Sequence, residues 1–207
     1  MNQTAQVSLL LAGLTASLLA CDGQPSADSE QVTFPSLRPE SAMLIASRPY
    51  KYKVPKDYDA KKPTPLVIML HGLSASGELN ELVLHLAPLA DARTFLYAYP
   101  DGTKNTVGAR FWNAIDGCCD FFGSKVDDVA YLTAVMDDLS SRYNVDPKRI
   151  FLVGHSNGGY MAHRMACDRS AKIAGIVSLA GAQWIDSSKC RHTGKVAVLQ
   201  VHGTADT

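Results

Sequence analysis

Ile150-Phe-Leu-Val-Gly154-His155-Ser156-Asn157-Gly158-Gly159 decides the fold. Its first four residues form a continuous apolar run, the pattern of a strand covered on both faces. Gly158 to Cys167 then reads as a helix. Between them lies G-x-S-x-G, and the geometry of a strand-to-helix turn explains that spacing. A serine at its centre sits on a tight, strained backbone that lifts the hydroxyl above the sheet, and side chains at the flanking positions would clash. The helix that follows aims backbone N–H groups and a positive dipole end at the place where an oxyanion would develop. The competing reading is a glycine-rich turn with an idle serine.

Similar runs lie on both sides. Leu66-Val-Ile-Met-Leu70, Phe95-Leu-Tyr-Ala-Tyr99, Ile173 to Leu179 and Val196 to Val201 all read as buried strands, and Tyr50 to Val54 alternates like a half-exposed one that stops at Pro55. Helical spacing appears from Leu79 to Ala92, interrupted by Pro88. It recurs from Asp128 to Tyr143, with Asp127 or Asp128 as N-cap. Buried strands alternating with helices predict an α/β fold, a mostly parallel sheet flanked by helices.

In such sheets the working residues gather beyond the carboxyl ends of the strands. Two further strand ends carry chemistry. Val67-Ile-Met-Leu-His71-Gly72-Leu73 ends in a His-Gly turn, where a backbone N–H can serve as one oxyanion donor, here that of Leu73. The other is the residue after the nucleophile, Asn157. Val198-Leu-Gln-Val201-His202-Gly203-Thr204-Ala205-Asp206 places a carboxylate just past a late strand, where the acid of a Ser, Asp, His series sits. The bland readings are a polar turn and a solvated turn aspartate.

The chain has 207 residues, 46% hydrophobic and 19% charged, with 20 basic against 20 acidic side chains. That is the length of one domain with an appendage. Zero formal net charge argues against a nucleic-acid partner, and the composition excludes disorder, collagen-like sequence and coiled coil. A monomer is expected. No metal or organic cofactor is expected, because the chemistry sketched above needs only side chains and two amides.

Val7 to Ala20 is an apolar stretch too short to span a bilayer, suited to the core of an export signal. Leu18-Leu-Ala-Cys21 resembles the bacterial lipobox, so residues 1–21 read as a signal with Cys21 as the lipidation site. Met1 to Gln6 departs from that pattern by carrying no Lys or Arg. A buried N-terminal helix is the alternative. The expected location is secreted or lipid-anchored at the cell envelope, with the membrane met only through that anchor. Residues 22–47 read as a flexible tether and 48–207 as the catalytic domain. Four cysteines remain, Cys118, Cys119, Cys167 and Cys190, an even number that fits two disulfides in an exported chain. A bond between adjacent cysteines is strained, so Cys118 and Cys119 are each expected to reach Cys167 or Cys190.

Together these residues resemble the secreted α/β-hydrolase esterase family that includes poly(3-hydroxybutyrate) depolymerases and bacterial feruloyl esterases. The likeness rests on Pro65 to Gly72, Trp112-Asn113 ahead of Cys118-Cys119, Val126-Asp-Asp-Val129, Asp146-Pro-Lys-Arg-Ile150, Gly154 to Gly159 and His202-Gly-Thr-Ala-Asp206. The resemblance implies the α/β-hydrolase fold, Ser156 as nucleophile, Asp206 as triad acid, and Leu73 with Asn157 as oxyanion hole. Trp112 is read as lining the substrate cleft, with a core tryptophan the competing reading. The implied substrates are feruloyl or other acyl esters on polysaccharide, or hydroxyalkanoate polyester. The family's histidine lies downstream of the acid, and none of His71, His85, His155, His163, His192 and His202 has a good claim to its role. The expectation is therefore a domain truncated at the C-terminus, with the base beyond Thr207 and little turnover. A serine peptidase and a lipid-anchored, non-catalytic binding protein on the same scaffold are the alternatives.

Overall fold

The computed structural model describes residues 32–206. Its centre is β2, Thr64–Leu70, whose side chains alternate between two cores. Leu66, Ile68 and Leu70 face one core, and Met69 faces the other. Period-two alternation with both faces covered is why this stretch is apolar throughout.

Around it run β1 (Lys51–Lys53), β3 (Leu96–Tyr99), β6 (Val145–His155), β7 (Gly175–Leu179) and β8 (Ala197–Val201), in the spatial order β1-β3-β2-β6-β7-β8. Only β1 is antiparallel to its neighbour; the remaining pairs are parallel. A small hairpin, β4 (Thr103–Lys104) with β5 (Arg110–Phe111), stands apart from this sheet. The crossovers carry α2 (Gly77–Leu84) and α3 (Ala87–Arg93), then α4 (Asp128–Arg142), then α5 (Asn157–Asp168). Val129, Leu132, Val135, Met136 and Leu139 of α4 and Met161 and Met165 of α5 fill the larger core. This is the mostly parallel, helix-flanked sheet that the alternation predicts, and it is in keeping with the α/β-hydrolase fold that the resemblance implies.

Three expectations need correction. The helical stretch from Leu79 to Ala92 is two helices: His85 caps α2 in the left-handed region (φ 53°), and Pro88 opens α3, where its missing N–H costs nothing. β6 begins at Val145, not Ile150, because Asp146 and Pro147 form an irregularity in which Thr64 pairs with Val145 and Leu66 with Ile150. The tether reading of residues 22–47 fails over its last third. Pro39–Ser47 is a helix, α1, in which Ser41 is buried and Leu44, Ile45 and then Arg48 are half-buried. The spacing i, i+3, i+4, i+7 is one helix face, but its apolar content is only two residues, so the signal is faint in sequence. Residues 1–31, including the signal reading and Cys21, lie outside the described residues.

The disulfide expectation is also overturned. Cys167 pairs with Cys190, and Cys118 with Cys119. Asn157 Nδ2 donates to Cys118 Sγ at 3.4 Å, which holds that cysteine beside the start of α5. Cys167 is ten residues further along the helix, about 15 Å at 1.5 Å per residue, beyond the reach of a disulfide.

Candidate active site

Ser156 stands between β6 and α5 with φ 52° and ψ −119°, a conformation that costs a non-glycine residue. The surrounding glycines are there because backbone passes too close for a side chain. A Cβ on Gly154 would lie 2.1 Å from the Gly158 carbonyl oxygen, and one on Gly158 would lie 2.1 Å from that of Leu70. The sharp turn is thus wedged between β2 and the first turn of α5. The Ser156 N–H donates to Leu179 O at 2.7 Å, and the Ala180 N–H to Val201 O at 2.8 Å, stitching the ends of β6, β7 and β8 into a staircase.

Across from the serine lies the turn after β2. A Cβ on Gly72 would be 3.4 Å from Ser156 Cβ, so this turn faces the hydroxyl-bearing residue at close range. Its conformation is held by His71, which is fully buried. The Gly102 N–H donates to His71 Nε2 at 2.8 Å, so the ring proton sits on Nδ1 and donates to Gly72 O at 2.7 Å. In a trans peptide the C=O and the following N–H point in opposite directions. Fixing the Gly72 carbonyl therefore aims the Leu73 N–H the other way. Burial pushes the His71 imidazole below its ordinary value of 6.5, keeping it neutral as this arrangement demands. Among the described residues, neither the Leu73 nor the Asn157 backbone N–H is bonded to another residue.

The Asn157 side chain ties the two amides together. Its Oδ1 accepts from the Trp112 N–H at 2.7 Å, and its Nδ2 donates to Trp112 O at 2.9 Å. The Trp112 indole N–H donates to His71 O at 3.0 Å. Trp112 is fully buried, packed between His71 and Tyr131. The reading of Trp112 as cleft lining is corrected: the ring has no surface to offer a ligand, and it acts as a strut between the β2 turn and α5. Sequence reasoning singled out Trp112 and Asn157 but missed what their polar atoms do, because the partners are 45 residues apart in the chain.

Beneath this strut, Asp128 accepts from Arg48 Nη1 at 2.7 Å and from the Asn113 N–H, also at 2.7 Å. Burial holds the Asp128 carboxyl above its ordinary range despite the guanidinium alongside.

Asp206 follows β8, at the same sheet edge as Ser156 and two strands away. Its partner is His202, with Nε2 and Oδ2 3.3 Å apart. Gln200 Nε2 lies 3.3 Å from His202 Nδ1 and also donates to Gly181 O at 2.7 Å. The structure thus brings Leu73, Ser156 and Asn157 together and sets Asp206 further along the same edge. Among the described residues no histidine ring is hydrogen-bonded to Ser156: His71 serves the β2 turn, His85 caps α2, His163 meets Gln200 at 3.0 Å, and His192 lies by Cys190.

Residues 57–207 match the family model described as phospholipase/carboxylesterase. The chain belongs to that family. Three relatives show where in it the similarity lies. A protein of Nocardia uniformis subsp. tsuyamanensis that carries the name "Putative esterase NocK" is 34% identical over 142 residues, 69% of this chain and 40% of its own length. The bifunctional acetylxylan esterase/xylanase XynS20E of Neocallimastix patriciarum is 29% identical over 143 residues, 69% of this chain and 19% of its own. Feruloyl esterase B of Piromyces equi is 29% identical over 157 residues, 74% of this chain and 28% of its own. The chain therefore spans less than half the length of each of these relatives. No helix among the described residues is long and apolar enough to cross a membrane, and no group of three or more His, Cys, Asp or Glu among them could hold a metal ion.

Proposed function

We propose that this protein is an exported serine carboxylic ester hydrolase acting on acyl groups, feruloyl or short-chain, esterified to polysaccharide. The observation that carries the reading is Ser156 held at φ 52° opposite the Gly72–Leu73 turn. Ser156 Oγ attacks the ester carbonyl, whose oxygen takes its negative charge between the Leu73 and Asn157 N–H groups. The alcohol leaves, and water then releases the acid from the acyl-enzyme. Strands spaced about 4.8 Å apart put the ends of β6 and β8, which Ser156 and Asp206 follow, about 10 Å apart. The general base of this scheme is an imidazole oriented by the late carboxylate, Asp206, and none of the described histidine rings is bonded to Ser156. Relatives named for acetylxylan and feruloyl esters support the acyl polysaccharide substrate. The Cys167–Cys190 disulfide is in keeping with an oxidising compartment, and Cys21 is the proposed lipid attachment.

The test is a fluorophosphonate probe followed by peptide mapping, with 4-nitrophenyl acetate as reporter ester. One adduct per chain on Ser156, absent in Ser156→Ala, is the expected result. A chain that folds but takes no adduct on Ser156 would instead be a binding protein on a hydrolase scaffold.

A further inference from the structure

We infer that a groove of about 450 Å³ beside α5 binds one neutral sugar residue of the ester substrate, through Trp184. This rests on the esterase reading, since it assigns the groove to the polysaccharide half of the proposed substrate. The groove has two walls. One is the turn at Ile115 and Asp116; the other is the segment after β7 with Gln183 and Trp184. Tyr160 stands between them, one helical turn and about 6 Å along the axis from Ser156. Ser156 itself does not line the groove, which therefore suits a part of the substrate next to the scissile bond.

The walls are fixed relative to each other twice. Arg164 donates to Ala114 O at 2.9 Å while its guanidinium lies 5.3 Å from the centre of the Trp184 ring. Lys189, on the Trp184 side, forms an ion pair with Asp116 on the other. A groove braced in this way loses little freedom on binding. Its chemistry points to a neutral polyhydroxyl ligand. The Lys189 charge is already answered by Asp116 and Asp186 adds a second carboxylate, so among the described residues lining the groove no free cation waits for a carboxylate or phosphate. An indole next to a phenol and a carboxamide offers an apolar surface for the C–H face of a sugar and neutral partners for its hydroxyls.

Xylotriose is the probe, titrated into the full chain. The chain has two tryptophans, Trp112 and Trp184, which give two indole N–H signals in an NMR spectrum, assigned with Trp184→Phe. The Trp184 signal is expected to move with xylotriose while that of buried Trp112 stays. Calorimetry should then show affinity weakened roughly tenfold in Trp184→Ala, the scale of one lost aromatic contact. Gln183→Ala, at an exposed position that does not threaten folding, should weaken it roughly threefold. An unmoved Trp184 signal, equal affinity in both variants, or methyl ferulate moving that signal where xylotriose does not, would each overturn the assignment. Fluorophosphonate labelling separates the two claims. Labelled Ser156 without sugar binding removes the groove and leaves the esterase, whereas Trp184-dependent sugar binding with unlabelled Ser156 supports the groove and removes the esterase.

Discussion

Asn157 and Trp112 clasp each other: the asparagine side chain accepts from one end of the tryptophan's backbone, at 2.7 Å, and donates to the other, at 2.9 Å. The residue that follows the candidate nucleophile is thereby anchored to a loop 45 positions earlier. Asn157→Asp keeps the shape but replaces the Nδ2 donor with an oxygen facing the Trp112 carbonyl. The expected cost is about 3 kcal/mol at pH 7. It shrinks as pH falls, because a protonated carboxyl regains a donor. Urea unfolding at pH 7 and pH 4 measures both values, and a loss that grows on acidification would contradict the clasp.

Ser156 occupies a backbone conformation that glycine adopts at no steric cost. Ser156→Gly should therefore be more stable than Ser156→Ala by about 1 kcal/mol, although both remove the hydroxyl. Thermal denaturation of the two variants, side by side, gives the answer. Gly158→Ala should go the other way, losing about 3 kcal/mol, since its Cβ would meet the Leu70 carbonyl at 2.1 Å.

The buried His71 imposes a pH dependence with a definite sign. Its folded pKa lies below the ordinary 6.5, so between the two values the unfolded chain binds a proton that the native state refuses. Its contribution is intact above 6.5, declines as pH falls through that window, and levels off below the folded pKa. His71→Asn keeps a donor for Gly72 O but strands the Gly102 N–H, at about 1–3 kcal/mol. Stability profiles from pH 8 to 4 should show that variant less stable throughout and with a shallower acid decline.

Arg48 supplies the charge that answers buried Asp128, and its guanidinium lies 3.4 Å from the centre of the Tyr131 ring. Arg48→Met leaves that carboxylate without its partner, at an expected cost of about 3–5 kcal/mol. Adding Asp128→Asn should restore part of the loss. A double-mutant cycle by chemical denaturation reads the coupling directly, and additive losses would show the pair to be incidental.

Much of the fold was legible in the chain because burial on both faces leaves an unmistakable run of apolar residues. β2, β3, β7 and the core of β6 all carry it. So was the strained turn, since glycine at Gly154 and Gly158 records backbone contacts that no side chain permits. α1 was hidden because its inward face holds a serine and only two aliphatic residues. The disulfides were misread because pairing depends on distance along a helix, which cysteine spacing alone does not report.

The local chemistry of one turn, a serine bracketed by glycines between an apolar strand and a helix, was determined by sequence, because sterics and periodicity act over a few neighbouring residues. That the buried His71 ring holds the turn facing that serine, and that Trp112 is a strut and not a lining, were decided only in three dimensions. Hydrogen bonds join atoms by proximity, and chain folding sets proximity across 30 to 45 residues in ways that residue order does not record.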